Sequence, residues 1–169
     1  MSESPHVQAL GQLQRAIGAD LKALRFKVRV RTFNRLTDDG LTQVINLQSG
    51  PFPPPGTVTI PDLREDLYGR FTVNLGVYVP EVGLYTLPAR TFVTESYCCI
   101  RARLGHLGPE QADLWWEIRS DAGTAHDVSR RLQIYGMPFL ERFGSRDRIL
   151  SEWARTRSLT LESADRPGL

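Results

Sequence analysis

The chain has 169 residues and a formal net charge of +2. The length indicates a single domain that is large enough to fold without disulfides or metals. No window approaches the roughly 20 apolar residues that span a bilayer, and the N-terminus lacks the basic start and apolar core of a signal peptide. We therefore expect a cytoplasmic protein that does not enter a membrane, with the adjacent Cys98 and Cys99 present as reduced thiols.

The first predicted element is a helix. Ser4 and Pro5 provide a cap and a first turn, and apolar residues then recur every three or four positions, at Val7, Leu10, Leu13, Ile17, Leu21 and Leu24. The period changes to two in FKVRVRTFNRL, residues 26–36, which predicts one strand with Phe26, Val28 and Val30 on the same face. The turn sequence TDDG, residues 37–40, and the second strand LTQVINLQ then complete a hairpin.

A proline-rich loop is predicted at residues 49–69, because SGPFPPPGTVTIPD contains five prolines. It is a binding element or a surface insertion, and the tolerance of loops for extra length favours the insertion. RFTVNLGVYVP, residues 70–80, is the third strand, and YCCIRARL and DLWWEIRS are read as later strands. LYTLPARTFVT is ambiguous, since Pro88 restricts it to a sheet edge.

The C-terminal third is predicted to be helical. Thr124 and Asp127 resemble a capping pair, a stripe from Ala125 to Tyr135 stops at Gly136, and Ser145 opens a last helix. This order of elements predicts an α+β fold: an antiparallel sheet of about five strands with an N-terminal helix and C-terminal helices packed on it. We expect one domain over residues 1–157 and a flexible tail over 158–169.

An asparagine in the middle of the third strand raises the question of function, because asparagine is a poor strand former. With a tight TDDG turn, Val30 lies near Leu47, Thr32 near Ile45, Arg31 near Asn46 and Arg29 near Gln48. Pooling the polar faces of three strands predicts a hydrogen-bonding site for a carboxylate, phosphate or peptide backbone, made of Arg29, Arg31, Asn46, Gln48, Asn74 and Tyr78. The alternatives are a solvated sheet face, or a buried amide network beneath the C-terminal helices.

Signatures of catalysis and cofactor binding are absent from the sequence. There is no GxxxxGK[ST] or GxGxxG loop, no GxSxG elbow, no HExxH and no CxxC, and His6, His106 and His126 lack metal-site spacing. We therefore predict no catalytic residue, no metal and no cofactor. A thiol nucleophile at Cys98 or Cys99 with His106 as base is the weaker reading, since a strand cysteine is usually a core residue.

Several segments together resemble the bacterial domain-of-unknown-function family 4304. They are LKALRF, KVRVRTFNR, QVINLQ, RFTVNLGVYVP, RARLG and WWEI, spread between residues 9 and 150. The resemblance implies a small bacterial α+β protein with Arg31, Phe33, Asn46, Gln48, Asn74 and Gly76 at the family's recurrent positions. It implies no established activity, and the proline-rich segment is longer than the family pattern.

These observations predict a non-enzymatic intracellular binding module. By analogy with small single-domain bacterial proteins, the expected partner is another bacterial protein, toxin-like, with this chain acting as an immunity or antitoxin-like accessory. The alternative is a nucleic-acid or anion-binding domain that uses the basic segment 25–35.

Overall fold

The computed structural model describes residues 5–51, 67–82, 87–88, 91–119 and 121–164. Within them the chain forms five α-helices and six strands, in the order α1 (Pro5–Ala23), β1 (Lys27–Arg29), β2 (Thr32–Leu36), β3 (Thr42–Ser49), β4 (Arg70–Tyr78), β5 (Ile100–Arg103), α2 (Leu104–Leu107), β6 (Trp116–Glu117), α3 (Ala122–Arg131), α4 (Met137–Arg142) and α5 (Arg146–Ala164). A 3₁₀ turn spans Glu95–Tyr97, and a π-helical segment, Leu132–Gly136, joins α3 to α4 without a break.

The strands form one antiparallel sheet in the order β1-β2-β3-β4-β5, and β6 pairs with the start of β4 beside β5. The longest pairing joins β3 to β4 from Thr42 opposite Tyr78 to Ser49 opposite Phe71. With a helix before the sheet and helices after it, the predicted α+β architecture is confirmed.

The main core lies between one face of this sheet and the helices. The alternating residues of the central strands supply the sheet side, including Phe33, Ile45, Leu47, Phe71, Val73, Leu75 and Val77. Helix α1 contributes Leu10, Leu13, Ile17 and Leu21, as its apolar spacing predicts, and α3 through α4 contribute Val128, Leu132, Met137 and Leu140. The burial of these large side chains on one face fixes the register of the sheet, because a one-residue slip would turn them outward.

The opposite face of the sheet carries a smaller apolar cluster at its end nearest Tyr78. Val44, Tyr78, Val93 and Cys98 are buried there, with Leu87 packed beside them. Asn34 fastens this covering segment to the sheet, because its amide donates to the Val93 carbonyl (2.9 Å) and accepts from the Val93 N–H (2.7 Å). Within the described residues, this segment covers the Tyr78 end of the second face.

The predicted first strand is broken. Arg29 pairs with Thr32, so Val30 and Arg31 form a two-residue turn, and β1 folds back on β2 as an edge strand. Val28 and Val30 are 52% and 74% exposed, and only Phe26 of the predicted apolar face is buried. The prediction of one continuous strand over residues 26–36 was wrong.

Other local predictions need correction. Cys98 and Cys99 are free thiols as expected, but they precede β5, behind the 3₁₀ turn, instead of lying within a strand. Asp121, and not the pair Thr124 and Asp127, caps α3, with its carboxylate accepting from the Thr124 N–H at 2.7 Å.

The helical region is also longer than predicted. It runs through Gly136 into α4, and α5 continues to Ala164, inside the segment predicted to be a tail. Most of the predicted proline-rich loop, residues 52–66, and the end of the predicted tail, 165–169, lie outside the described residues. Among the described helices, none combines the length and apolar character needed to cross a membrane.

Candidate binding surface

A line of polar residues crosses five strands on the face of the sheet opposite the main core. In successive register pairs, Arg29 stands opposite Thr32, Thr32 opposite Asn46, Asn46 opposite Asn74, and Asn74 opposite Arg103. Directly opposed residues of an antiparallel sheet point to the same side, so all five share one face. We call this set, Arg29, Thr32, Asn46, Asn74 and Arg103, the polar row.

Hydrogen bonds within the row tie neighbouring strands together. The Asn74 amide donates to the side-chain oxygen of Gln48 at 2.7 Å, and the Asn46 amide donates to the Thr32 hydroxyl at 2.9 Å. Asn74 is 5% exposed and Thr32 8%, whereas Asn46 is half-buried and Gln48 exposed. The asparagine in β4 is therefore a buried cross-strand connector as well as part of a polar surface.

The segments on either side of Asn74 explain why it is so little exposed. Two residues after Asn74, on the same face of β4, is Gly76. A Cβ added at Gly76 would lie 2.6 Å from the Cys98 sulfur, so Cys98 packs directly on the backbone there. Two residues before Asn74, on the same face, is Thr72, whose hydroxyl donates to the Leu114 carbonyl at 2.9 Å. Because both neighbouring positions are covered, little of Asn74 is exposed.

The two ends of the polar row are arginines in different environments. Arg29 is exposed on the edge strand β1. Arg103 is paired with Asp113 and its guanidinium lies 5.6 Å from the ring centre of Trp115. Burial opposes ionisation of Asp113, but hydrogen bonds from Arg103 and Trp115 outweigh it, so the pKa of that carboxyl is lowered. Arg103 is thus held in place by a carboxylate and an aromatic ring.

The structure brings four of the six predicted residues to one open region. Arg29, Asn46, Gln48 and Asn74 share the expected face. Tyr78 is on that face but lies in the covered cluster, 5% exposed, with its hydroxyl accepting from the Leu87 N–H.

Arg31 is not part of this surface. It lies in the β1–β2 turn and donates to the Ser49 hydroxyl at 2.8 Å, on the side opposite Gln48 because side chains alternate along β3. The predicted proximity of Arg31 to Asn46 was wrong, since Thr32 occupies that position.

The sequence reasoning missed Thr32 and Arg103 as members of the row. A usable signal was present, because RAR within YCCIRARL places Arg101 and Arg103 on one face of a strand at alternate positions. Nothing local, however, indicated that this strand would pair with β4 so that Arg103 meets Asn74.

Comparison with known proteins gives one match. Residues 63–142 match the family DUF4304, a domain of unknown function. The resemblance suggested by the sequence motifs is confirmed for that stretch, which runs from just before β4 to the end of α4. No curated protein and no solved structure matches the chain significantly.

The DUF4304 match divides the polar row. Asn74 and Arg103 fall inside the matched residues, whereas Arg29, Asn46 and Gln48 precede them. The matched segment therefore supplies the buried Asn74 and the Arg103 end of the polar row, and the preceding hairpins supply the rest.

In the described ranges, no group of three histidine, cysteine or acidic residues is arranged to hold a metal ion. The polar row and Gln48 present hydrogen-bond donors and acceptors on this face.

Proposed function

We propose that this protein is a binding module that engages a partner protein through the polar row and the adjoining Gln48. The observation that carries the proposal is the row's continuity across five strands, with a buried centre at Asn74 and accessible groups at Arg29 and Gln48. The Gln48 amide and the arginine guanidiniums suit the carboxylates and backbone amides of an extended protein segment.

The charge pattern favours a protein over a nucleic acid. Nucleic-acid affinity comes mainly from unpaired cations along the phosphate backbone. Here Arg103 is paired with Asp113, and Arg101, one same-face position along β5, lies 3.7 Å from Glu95. The turn at Val30 also splits the basic segment 25–35, so its arginines do not form one patch. Balanced pairs of this kind are typical of protein interfaces, where they contribute specificity.

The partner class remains the one expected from the sequence. A toxin-like bacterial protein, neutralised by occlusion, suits a small accessory binder, and a toxin surface that presents carboxylates would complement Arg29 and the Gln48 amide.

Affinity capture tests the proposal with matched variants. Immobilised protein is offered to lysate of its own source, beside the double variant Arg29→Ala with Gln48→Ala and the control Arg31→Ala. Arg31→Ala removes the same charge from the same hairpin but on the other side of the sheet. We expect a stoichiometric partner with the parent and the control, and at least tenfold less with the double variant, as expected for two lost interface contacts.

Two results contradict the proposal: repeated failure to retain any stoichiometric partner, or equal retention by the parent and the double variant. Titration with a mixed-sequence oligonucleotide tests the alternative, which requires affinity that falls steeply with salt. A flat salt response removes the nucleic-acid reading.

A further inference from the structure

A cavity of about 660 Å³ lies at the end of the sheet where β3 leads into the proline-rich connection and β4 follows it. Its walls come from the first half of α1, the β1–β2 turn, the residues on either side of that connection, and Ile118. The volume is within the range of sites that hold small organic ligands. The cavity is separate from the polar row, since none of the row residues lines it.

Three arginines line this cavity: Arg15 from α1, Arg31 from the turn and Arg70 from the start of β4. No aspartate or glutamate is among the described residues that line it. None of the three arginines forms an ion pair within the described part of the chain. Among the described residues the cavity lining therefore carries positive charge without a counter-charge, which is complementary to an anion.

The nearest acid by register does not compensate these arginines. Glu117 stands opposite Arg70 across the β4–β6 pair, but its carboxylate pairs with Arg119. Arg31 is also held in position, because its guanidinium donates to the Ser49 hydroxyl at 2.8 Å, and a guanidinium has five N–H donors in all. A guanidinium fixed by one neutral bond is prepared for bidentate contact with phosphate or carboxylate oxygens.

An aromatic pair adds a second recognition element. The His6 and Tyr68 rings meet edge to face with centres 5.1 Å apart, and both residues line the cavity. Gly69, with φ of +70°, lets the chain turn beneath the His6 ring. Glutamine side chains of α1 complete a wall of hydrogen-bonding groups beside these rings.

We propose that this cavity binds a small molecule bearing a phosphate group, with Arg31 and Arg70 contacting the phosphate. Phosphate suits the site because its oxygens accept from more than one guanidinium at a time. The volume and the aromatic pair leave room for an organic group attached to that phosphate. Free phosphate and a phosphate ester share the recognition chemistry, and the probes below distinguish them.

Isothermal titration at low salt tests the site with inorganic phosphate, adenosine monophosphate and adenosine as probes. We expect saturable binding of at least one phosphate compound and none of adenosine. Arg31→Ala and Arg70→Ala should each weaken that binding at least tenfold, the loss expected for one charge-assisted hydrogen bond. Arg31→Lys keeps the charge but not the planar fork, so it should restore only part of the affinity.

Arg29→Ala is the matched control, since it removes a cation two residues from Arg31 and outside the cavity. Arg29→Ala should change phosphate affinity less than twofold. Combined with Gln48→Ala, the same substitution is expected to impair partner capture. The two proposals can therefore fail separately. Tighter binding of adenosine monophosphate than of phosphate identifies an ester as the ligand, and the reverse identifies free phosphate. No saturable binding of either, or equal weakening by Arg29→Ala and Arg31→Ala, overturns the inference.

Discussion

Asn46 and Asn74 face each other across β3 and β4, and each donates its side-chain N–H one strand closer to the β1 edge. Asn46 bonds to Thr32 on β2, and Asn74 bonds to Gln48 on β3. These bonds tie three strands together from the face that lacks the main core. The amides thus have a structural role, and a partner must use the groups left accessible, which are Gln48 and the arginine at β1.

The first prediction concerns the unequal burial of Asn74 and Gln48. Asn74→Ala should destabilise the protein by about 1–2 kcal/mol, because a buried amide and its bond are lost. Gln48→Ala should reduce the free energy of unfolding by less than about 0.5 kcal/mol. Gln48 is exposed, so water can replace its side-chain oxygen as the acceptor of the Asn74 amide. Urea unfolding of both single variants and the double variant measures their coupling. Additive effects would show that the 2.7 Å bond contributes nothing.

The second prediction concerns the contact between Gly76 and Cys98. Gly76→Ala should destabilise by about 1–3 kcal/mol, because its Cβ would lie 2.6 Å from the Cys98 sulfur. The control is Gly11→Ala, in α1, where the nearest atom is a guanidinium nitrogen of Arg15 at 3.7 Å and alanine favours the helix. Thermal unfolding should separate the two. Equal melting temperatures would mean that the covering segment can move away from β4 at no cost.

The third prediction concerns the two thiols. Burial raises the pKa of Cys98 to about 12, with Glu95 and Cys99 adding to the effect, so this thiol stays neutral and shielded at pH 8. Cys99 is exposed. Ellman's reagent should therefore modify one thiol rapidly in the native protein and the second only after denaturation, and Cys99→Ser should abolish the rapid phase. Rapid modification of both would contradict the packing of Cys98.

The sequence alone predicted those elements whose buried apolar residues are regularly spaced. Helix α1 followed from its spacing, and Leu10, Leu13, Ile17 and Leu21 are all buried. Strand β4 followed in the same way, because its alternate residues face the main core. Placement of Asn46, Gln48 and Asn74 on one face followed from the same alternation.

The register of the first hairpin could not be predicted because its loop is longer than TDDG. Leu36 pairs with Thr42, so five residues close the loop, and Leu41 is drawn into the core instead of starting the strand. One extra residue moves every pairing by one position, which puts Thr32 in the place predicted for Arg31. The spacing of two phenylalanines is consistent with the break at Val30. Phe26 and Phe33 are both buried, although strict alternation in one continuous strand would put them on opposite faces.

The fourth prediction follows from that break. Val30 has φ of +53°, a conformation that is unfavourable for a β-branched residue, and it is 74% exposed, so little packing compensates. Val30→Gly should stabilise the protein by about 0.5–1 kcal/mol, after allowing for the greater unfolded-state entropy of glycine. The control Val28→Gly, in β1 and 52% exposed, should destabilise it. Equal losses in chemical denaturation would contradict the strained turn.

The last prediction concerns pH and the loop that carries Asp113 and Trp116. Arg131 of α3 holds Glu110 through two bonds, at 2.7 and 3.0 Å, and also contacts Asp127, which accepts from the Trp116 indole. Hydrogen bonds from Arg131 lower the pKa of Glu110 from its ordinary 4.5 to about 2. The folded state therefore favours the ionised form. This contribution to stability is present above pH 4.5 and is lost as pH falls toward 2.

Glu110→Gln should accordingly lower the urea midpoint at pH 6, and the difference from the parent should shrink below pH 4.5 and vanish near pH 2. Because the pair is exposed, added salt should reduce the difference at pH 6. The pKa of Asp127, which also contacts Arg131, is lowered as well, and both proteins retain this carboxylate. A difference that stayed constant from pH 6 to pH 2 would show that ionisation of Glu110 does not fasten this loop to α3.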